Sequence, residues 1–481
     1  MIRLGTPEQF RLIREFLRAR FSEEIVSVAL GVASVRDFDK REDGSPVRDP
    51  LVQLLFCGAA VPFAEIRAVL PAAVGDAMGD LGLLAGAENR VWCPVVLYPT
   101  YGLHLISDRF TQPDGSPFTG DREFVYFALT ANTQNYIQSL PSDPCEAFLD
   151  LGAGCGAAAL IQARYAGVSV SSDISARSSL FAEFNRRLND IPNAQVVEGS
   201  LYDPVKGRRF DRIGCHPPYD VSGSTPWTFA DGGDDGEFVI RGTVAGLPEF
   251  LAPGGEFTAL FRAGDQKSKP LQYRIREWLG AAQEEFDIGL VVRSVVAVEE
   301  YAVGAVLSTD GSVEQYRAHV ARFEKLGVEQ LVYGHVLIRR KATGSAPLTV
   351  RRQMGQRCGR EELAWLLDWE TAAPGIDFSD KVLAPSPSME ILVRHRLVDG
   401  SVQPVDYTMQ AIVPFDEKVP CPQWIALLIS ECTGSRTADE VYAAMKQHGP
   451  IEPAQFHAAV MRLVSAGVLQ VAAGSRIRGS G

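Results

Sequence analysis

Residues 146–156 read EAFLDLGAGCG, and residues 215–219 read CHPPY. The first string is an apolar run that ends in Asp150 and then sets glycines at 152, 154 and 156. A buried parallel strand reads as a continuous apolar run. Glycines just past its end let backbone approach a ligand where a Cβ would collide with it. The second string follows another short run, Arg212-Ile213-Gly214-Cys215, with two prolines and an aromatic. Prolines at a strand's end stiffen the chain and remove backbone donors.

A glycine-alternating loop alone fits a dinucleotide loop, a nucleotide loop or an ordinary turn, so the elements around it decide. Val168–Ser172 is a second β-type run and Asp173 ends it; a carboxylate there suits the two hydroxyls of a ribose. Residues 194–198 form a third such run, followed by Gly199-Ser200-Leu201-Tyr202, and residues 210–215 a fourth. Helical spacing fills the gaps at 158–166 and 175–188. This alternation predicts an α/β fold with a doubly wound parallel sheet. A nicotinamide site would share the glycine loop, but the Pro-Pro-Tyr string and the early fourth strand argue against it.

On these residues, the segment from about 146 to 262 resembles class I S-adenosylmethionine-dependent methyltransferases. It is most similar to the branch carrying Asn-Pro-Pro-Tyr or Asn-Pro-Pro-Phe, which includes release-factor glutamine and ribosomal RNA guanine N2-methyltransferases. Asp231-Gly232-Gly233, Gly236 and the later Leu251-Ala252-Pro253-Gly254-Gly255 extend the similarity. The resemblance implies a Rossmann-like seven-stranded sheet and S-adenosyl-L-methionine as cofactor. It also implies roles by position. Asp150, Gly152, Ala153, Gly154 and Gly156 line the methionine part. Asp173 takes the ribose, Ser200 and Leu201 the adenine, and Ile174 is also placed on the cofactor. His216, Pro217, Pro218 and Tyr219 hold the methyl acceptor, with His216 also beside the cofactor. Asn132 and Thr133, on the approach to the first strand, belong to a segment that covers the cofactor in related enzymes.

His216 stands where the branch has asparagine. An asparagine carbonyl accepts from a planar N–H, whereas a neutral histidine offers one acceptor nitrogen and a charged one none. Histidine can also act as a base near neutral pH. It therefore suits an acceptor that must lose a proton, and leaves nitrogen and oxygen acceptors both open. With an ordinary histidine, turnover would rise with pH through an apparent pKa near about 6.5. The plainer alternative is a space-filling His216 in an inactive cofactor-binding or scaffold protein that keeps the fold. Plainer readings also exist for Asp173 as a helix cap, for Tyr219 as core packing, and for Cys155 and Cys215 as buried structural thiols.

Composition fits an intracellular enzyme. The chain has 481 residues, a net charge of −12 and an ordinary hydrophobic share of 46%. None of the eight cysteines forms a C-x-x-C pair, so neither a zinc site nor a disulfide framework is expected, and no metal. The acidic balance disfavours non-specific DNA binding. There is no signal-peptide pattern and no transmembrane-length apolar stretch, so a cytoplasmic location without membrane association is expected.

Four segments follow. Residues 1–120 open with a capping box, Thr6-Pro7-Glu8-Gln9, and read as helices followed by a hairpin, a helical, winged-helix-like accessory domain. Residues 121–345 are the methyltransferase domain, closed by an antiparallel pair of strands at 288–296 and 330–337. Residues 346–420 read as a connector packed on it, with Trp365 and Trp369 one helical turn apart. Residues 421–481 read as a winged-helix-like domain without a basic recognition helix, suited to peptide docking or self-association rather than DNA. The methyl acceptor, whether protein, RNA or small molecule, is not written in the sequence.

Overall fold

The computed structural model describes residues 2–41, 46–111, 122–224, 227–307, 311–342, 346–356 and 358–471. The expected segment boundaries near 120 and 345, and the end of the last segment beyond 471, lie outside the described residues. By contacts the chain divides into two compact units. One comprises residues 1–283, 296–331 and 339–344, and the other 284–295, 332–338 and 345–481.

The central sheet is built from β1 (Cys145–Leu151), β2 (Ala166–Asp173), β3 (Ala194–Glu198), β4 (Phe210–Cys215), β5 (Leu251–Gln266), β6 (Phe286–Ala297), β7 (Val328–Arg340) and β8 (Thr349–Gln353). Their order is β8-β6-β7-β5-β4-β1-β2-β3. β1, β4 and β2 are parallel neighbours, with Asp150 opposite Gly214 and Ser171, and Leu151 opposite Cys215 and Ser172. The apolar runs explain the order. Phe148, Leu149, Leu151, Val170, Ile213 and Cys215 are all buried, as strands covered on both faces require. The sheet has one strand more than the seven expected. Thr349–Gln353 reads TVRRQ, too charged for a buried run, and pairs parallel with β6 from Ile288 opposite Thr349.

Four helices of the first unit lie next to these strands in sequence: α1 (Ala131–Ser139), α2 (Ala157–Gln162), α3 (Ala176–Asn189) and α4 (Phe238–Phe250). Before them, Thr6 caps the helix Pro7–Arg20 with the expected reciprocal box, Gln9 accepting from the Thr6 N–H at 2.9 Å. Phe10 of that helix meets Phe184 of α3 edge-on at 5.0 Å. The hairpin Val96–Thr100 and Leu103–Ser107 is tied to the same helix, because Asn185 accepts from the Ile106 N–H at 2.8 Å and donates to its carbonyl at 3.1 Å. Among the helices expected in residues 1–120, one is a short α-turn, Pro50–Val52, running into a π-helix, Gln53–Cys57.

In the second unit, Trp365 and Trp369 lie on the helix Arg360–Ala372 and stack at 5.5 Å, as their spacing predicts. Trp369 donates from Nε1 to Ser465 Oγ at 2.7 Å and shares a core with Phe378, Leu383, Leu428, Val460 and Leu463. Residues from the expected connector and from the last segment therefore form one core. Strand Leu469–Val471 completes it by pairing antiparallel with Leu383–Pro385. Among the described residues no helix is long and apolar enough to cross a membrane, and no cluster could hold a metal ion.

One close approach in the sheet is decisive for the site. A Cβ on Gly214 would lie 2.3 Å from the Tyr136 hydroxyl and 3.1 Å from Phe148. Gly214→Ala is expected to destabilise the protein by about 1–3 kcal/mol through overpacking. Denaturant unfolding reads this directly, and an unchanged midpoint would show that Tyr136 can withdraw freely.

Candidate active site

Parallel register brings the carboxyl ends of β1 to β4 to one edge of the sheet, and the loops leaving them surround a cavity of about 410 Å³. Every residue singled out from the sequence for cofactor or acceptor lines this cavity, except Gly156. Gly156 instead precedes α2, where a Cβ would sit 3.0 Å from that of Ala182, so its smallness serves packing against α3.

The glycine loop is shaped by backbone angle. Gly152 and Gly154 have φ of 67° and 56°, a region costly for residues with a Cβ. Nothing lies within 4 Å of where their Cβ atoms would be, so the loop presents bare backbone to open space. Gly152 and Ala153 donate to the Ser172 carbonyl at 2.9 and 3.1 Å, fastening the loop to β2. Asp173 closes it from the other side: Oδ2 accepts from the Gly154 N–H at 2.8 Å and Oδ1 from the Ser175 N–H at 2.9 Å. Asp173 is not the cap of α3; Ser175 is, accepting from the Ser178 N–H at 3.1 Å. Each carboxylate oxygen of Asp173 keeps a further acceptor position.

Asp150 is buried, and Tyr136 of α1 donates its hydroxyl to Oδ1 at 2.7 Å. Gly214 makes room for that hydroxyl. Burial pushes the Asp150 carboxyl up to about 7, with the Tyr136 bond opposing the rise and the nearby Asp173 adding to it. Burial also raises Asp173, against the backbone N–H groups of Ser175, Gly154 and Ile174. His216 is pushed down to about 4 because its surroundings disfavour the charged ring. It is therefore neutral near pH 7, which removes the basis for a transition near the ordinary histidine value. Tyr136 and Tyr219 flank it at ring distances of 5.5 and 6.2 Å.

Tyr219 is fixed from two sides. Asn132 donates from Nδ2 to its hydroxyl at 3.1 Å, and the Arg262 guanidinium lies 5.0 Å from its ring centre. Arg262 is itself held by an ion pair with Asp220 and by the Tyr301 ring at 4.6 Å. Leu201 has φ of 47°, an unusual backbone for a leucine, in the loop fastened by the Ser172 hydroxyl to the Leu201 carbonyl at 3.1 Å. Sequence reading missed Tyr136, which lies just past the approach segment at 129–134 and reveals its role only through Asp150. It also missed Glu123, Phe124, Tyr126 and Phe229, which line the cavity without forming any local motif.

The Asp150 carboxyl sits near 7 in the fold, against about 3.9 unfolded. The folded state holds this proton more tightly, so the contribution is present below about pH 4 and lost as pH rises through about 7. His216 has the opposite sign, adding stability as pH rises from about 4 to about 6.5. Asp150→Asn stays neutral at every pH and keeps an acceptor for Tyr136. It should gain about 4 kcal/mol over the parent protein at pH 8, and little at pH 4. Unfolding curves at both pH values check this; an equal loss at both would contradict the burial argument.

Residues 124–281 match the family model described as "MTS: Methyltransferase small domain". The chain is 31% identical over 128 residues to the release factor glutamine methyltransferase of Moorella thermoacetica. It is 33% identical over 126 residues to that of Geobacter sulfurreducens. These matches cover 24% and 23% of this chain and 45% and 43% of those proteins, so the chain spans less than half the length of the relatives it matches. Among solved structures, a methyltransferase from Pyrococcus furiosus aligns at 17% identity over 45% of this chain and 85% of that one, with a TM-score of 0.28, a likeness too slight to carry an argument. The stretch that matches the methyltransferase small domain model, 124–281, holds β1 to β5 and the loops around the cavity.

Proposed function

We propose that the protein is an S-adenosylmethionine-dependent methyltransferase acting on a nitrogen acceptor. The observation that carries this reading is the cavity itself. Bare glycine backbone, two acids at the ends of adjacent strands and a His-Pro-Pro-Tyr loop face one space of about 410 Å³. The residues present fit the cofactor: the buried acids suit a ligand of net positive charge, and the open glycine positions leave it room. The cofactor supplies an electrophilic methyl group on a sulfonium whose charge is lost during transfer.

In this reading Asp173 takes the ribose hydroxyls with its remaining acceptor positions, while its existing bonds hold the glycine loop. Asp150 faces the cationic methionine part. Ser200 and Leu201 frame the adenine, as do Ile174 and the backbone beside it. Pro217, Pro218 and Tyr219 frame the acceptor, and Asn132 and Thr133 close the cavity from α1. The main contribution of these residues is alignment and exclusion of water. His216, neutral at pH 7, accepts a hydrogen bond from the acceptor N–H and orients its lone pair. A base this weak is ill suited to deprotonating a hydroxyl or an ammonium group beforehand, which favours nitrogen over oxygen. The names of the matched relatives point the same way. All eight cysteines are unpaired thiols, which supports a cytoplasmic setting.

Removing the Asp173 carboxylate should weaken cofactor binding by about 10–100-fold, on the order of 1–3 kcal/mol. Calorimetry on the parent protein and Asp173→Ala measures it. No binding by the parent, or equal affinity in the variant, would sink the reading. At saturating cofactor, turnover should be flat between pH 6 and 8, because His216 titrates near 4. His216→Asn should keep turnover within about tenfold with a profile of the same shape. A rate that climbs through pH 6–7 in the parent and is flattened in the variant would restore His216 as a base.

A further inference from the structure

The walls of the cavity nearest the His-Pro-Pro-Tyr loop carry a group of aromatic rings that the cofactor roles above do not use. Phe124 and Tyr126 come from the segment before α1, and Phe229 from the segment after β4; all three line the cavity. Tyr126 and Phe229 lie 4.7 Å apart, Phe124 and Phe229 5.8 Å, and Phe124 and Trp227 5.3 Å. Phe110, 52% exposed, packs on Phe124 at 5.0 Å and on Tyr126 at 6.0 Å. The two segments are joined by the Thr228 N–H donating to the Arg122 carbonyl at 2.9 Å. The aromatic wall is also joined to the acceptor loop, because the Asp220 N–H, next to Tyr219, donates to the Ala230 carbonyl at 2.8 Å. The rings of His216 and Tyr219 belong to that loop.

Charge gives a second, independent constraint. Glu123, Asp150, Asp173 and Asp220 line the cavity, and among the described residues no lysine or arginine does. Arg262, beside the lining residue Tyr219, is committed to Asp220 and to the rings of Tyr219 and Tyr301. A phosphate or carboxylate entering here would meet Glu123, Asp150 and Asp173, while the charge of Arg262 is already engaged by Asp220. A flat ring that is neutral or cationic would instead find faces to stack on and, if cationic, both ring quadrupoles and carboxylates. The net charge of −12 acts in the same direction against a polyanion.

We infer that the methyl acceptor is a small planar aromatic compound, neutral or cationic, such as an aromatic amine or nitrogen heterocycle, seated against Tyr126 and Phe229. The inference rests on the methyltransferase reading. In the transfer the acceptor nitrogen's lone pair forms the new N–C bond, the C–S pair returns to sulfur as a thioether, and the surplus proton on nitrogen leaves to water.

The experiment uses the full chain. S-adenosylhomocysteine binding is measured first by calorimetry; its absence would overturn the methyltransferase reading and this inference with it. The loaded protein is then titrated with benzimidazole and benzylamine, and in parallel with a glutamine-containing peptide and a short single-stranded RNA, using ligand-observed NMR. Ring probes should bind at least about tenfold more tightly than the peptide or the RNA. Tyr126→Leu and Phe229→Leu, which keep apolar bulk without the ring, should each weaken the ring probes about tenfold and leave S-adenosylhomocysteine affinity unchanged. That unchanged affinity also certifies that the variants are folded. Tighter binding of the peptide or the RNA, ring binding indifferent to both variants, or a loss confined to S-adenosylhomocysteine would each overturn the inference while leaving the methyltransferase reading standing.

Discussion

The register between β1 and β4 is the constraint on which the rest of this molecule depends. Asp150 stands opposite Gly214, and Leu151 opposite Cys215. The two strands are parallel, so the glycine loop and the His-Pro-Pro-Tyr loop begin at the same height on the same edge of the sheet. β1 and β4 are also where the order turns, β2 and β3 lying to one side and β5 to the other. Open α/β sheets bind ligands at such a switch point because the loops there diverge and leave a crevice. A slip of the register would separate the two loops. It would also put a side chain where Gly214 admits the Tyr136 hydroxyl, and so break the bond that holds Asp150.

The electrostatics of the cavity follow from that geometry. Two acids end adjacent strands, one wholly buried, and burial raises both. Burial has the opposite effect on His216, keeping it uncharged. In the empty protein these groups cost stability, since a buried carboxylate near pH 7 lacks a countercharge. A cationic ligand supplies one. The cost of holding Asp150 in place is thus offset in the bound state, a common arrangement where titratable groups are shifted at functional sites.

Much of the domain 124–281 is legible in the sequence because its signals are local. Residues 194–198 and 210–215 are strands as expected, and outside that stretch Thr6 makes the capping box its spacing implies. What was not legible depends on residues distant in sequence. Tyr136 is one tyrosine among thirteen until Gly214 and Asp150 are brought beside it. Gly156 shares the alternation of the loop, but α3 claims its small size for packing. The aromatic wall draws on Phe110, Phe124 and Tyr126 and on Trp227 and Phe229, which no window joins. The eighth strand carries two arginines in five residues and looks like a linker until β6 pairs with it.

The central claim is that the cavity takes S-adenosylmethionine with Asp150 facing its cationic end. Calorimetry in two buffers of different ionisation enthalpy tests it most directly, because the difference in heat counts protons. Binding at pH 6.5 should release a sizeable fraction of one proton as the ligand draws Asp150 down from its value of about 7, and binding at pH 8.5 should release almost none. No binding, or binding with no proton released at either pH, would contradict the account.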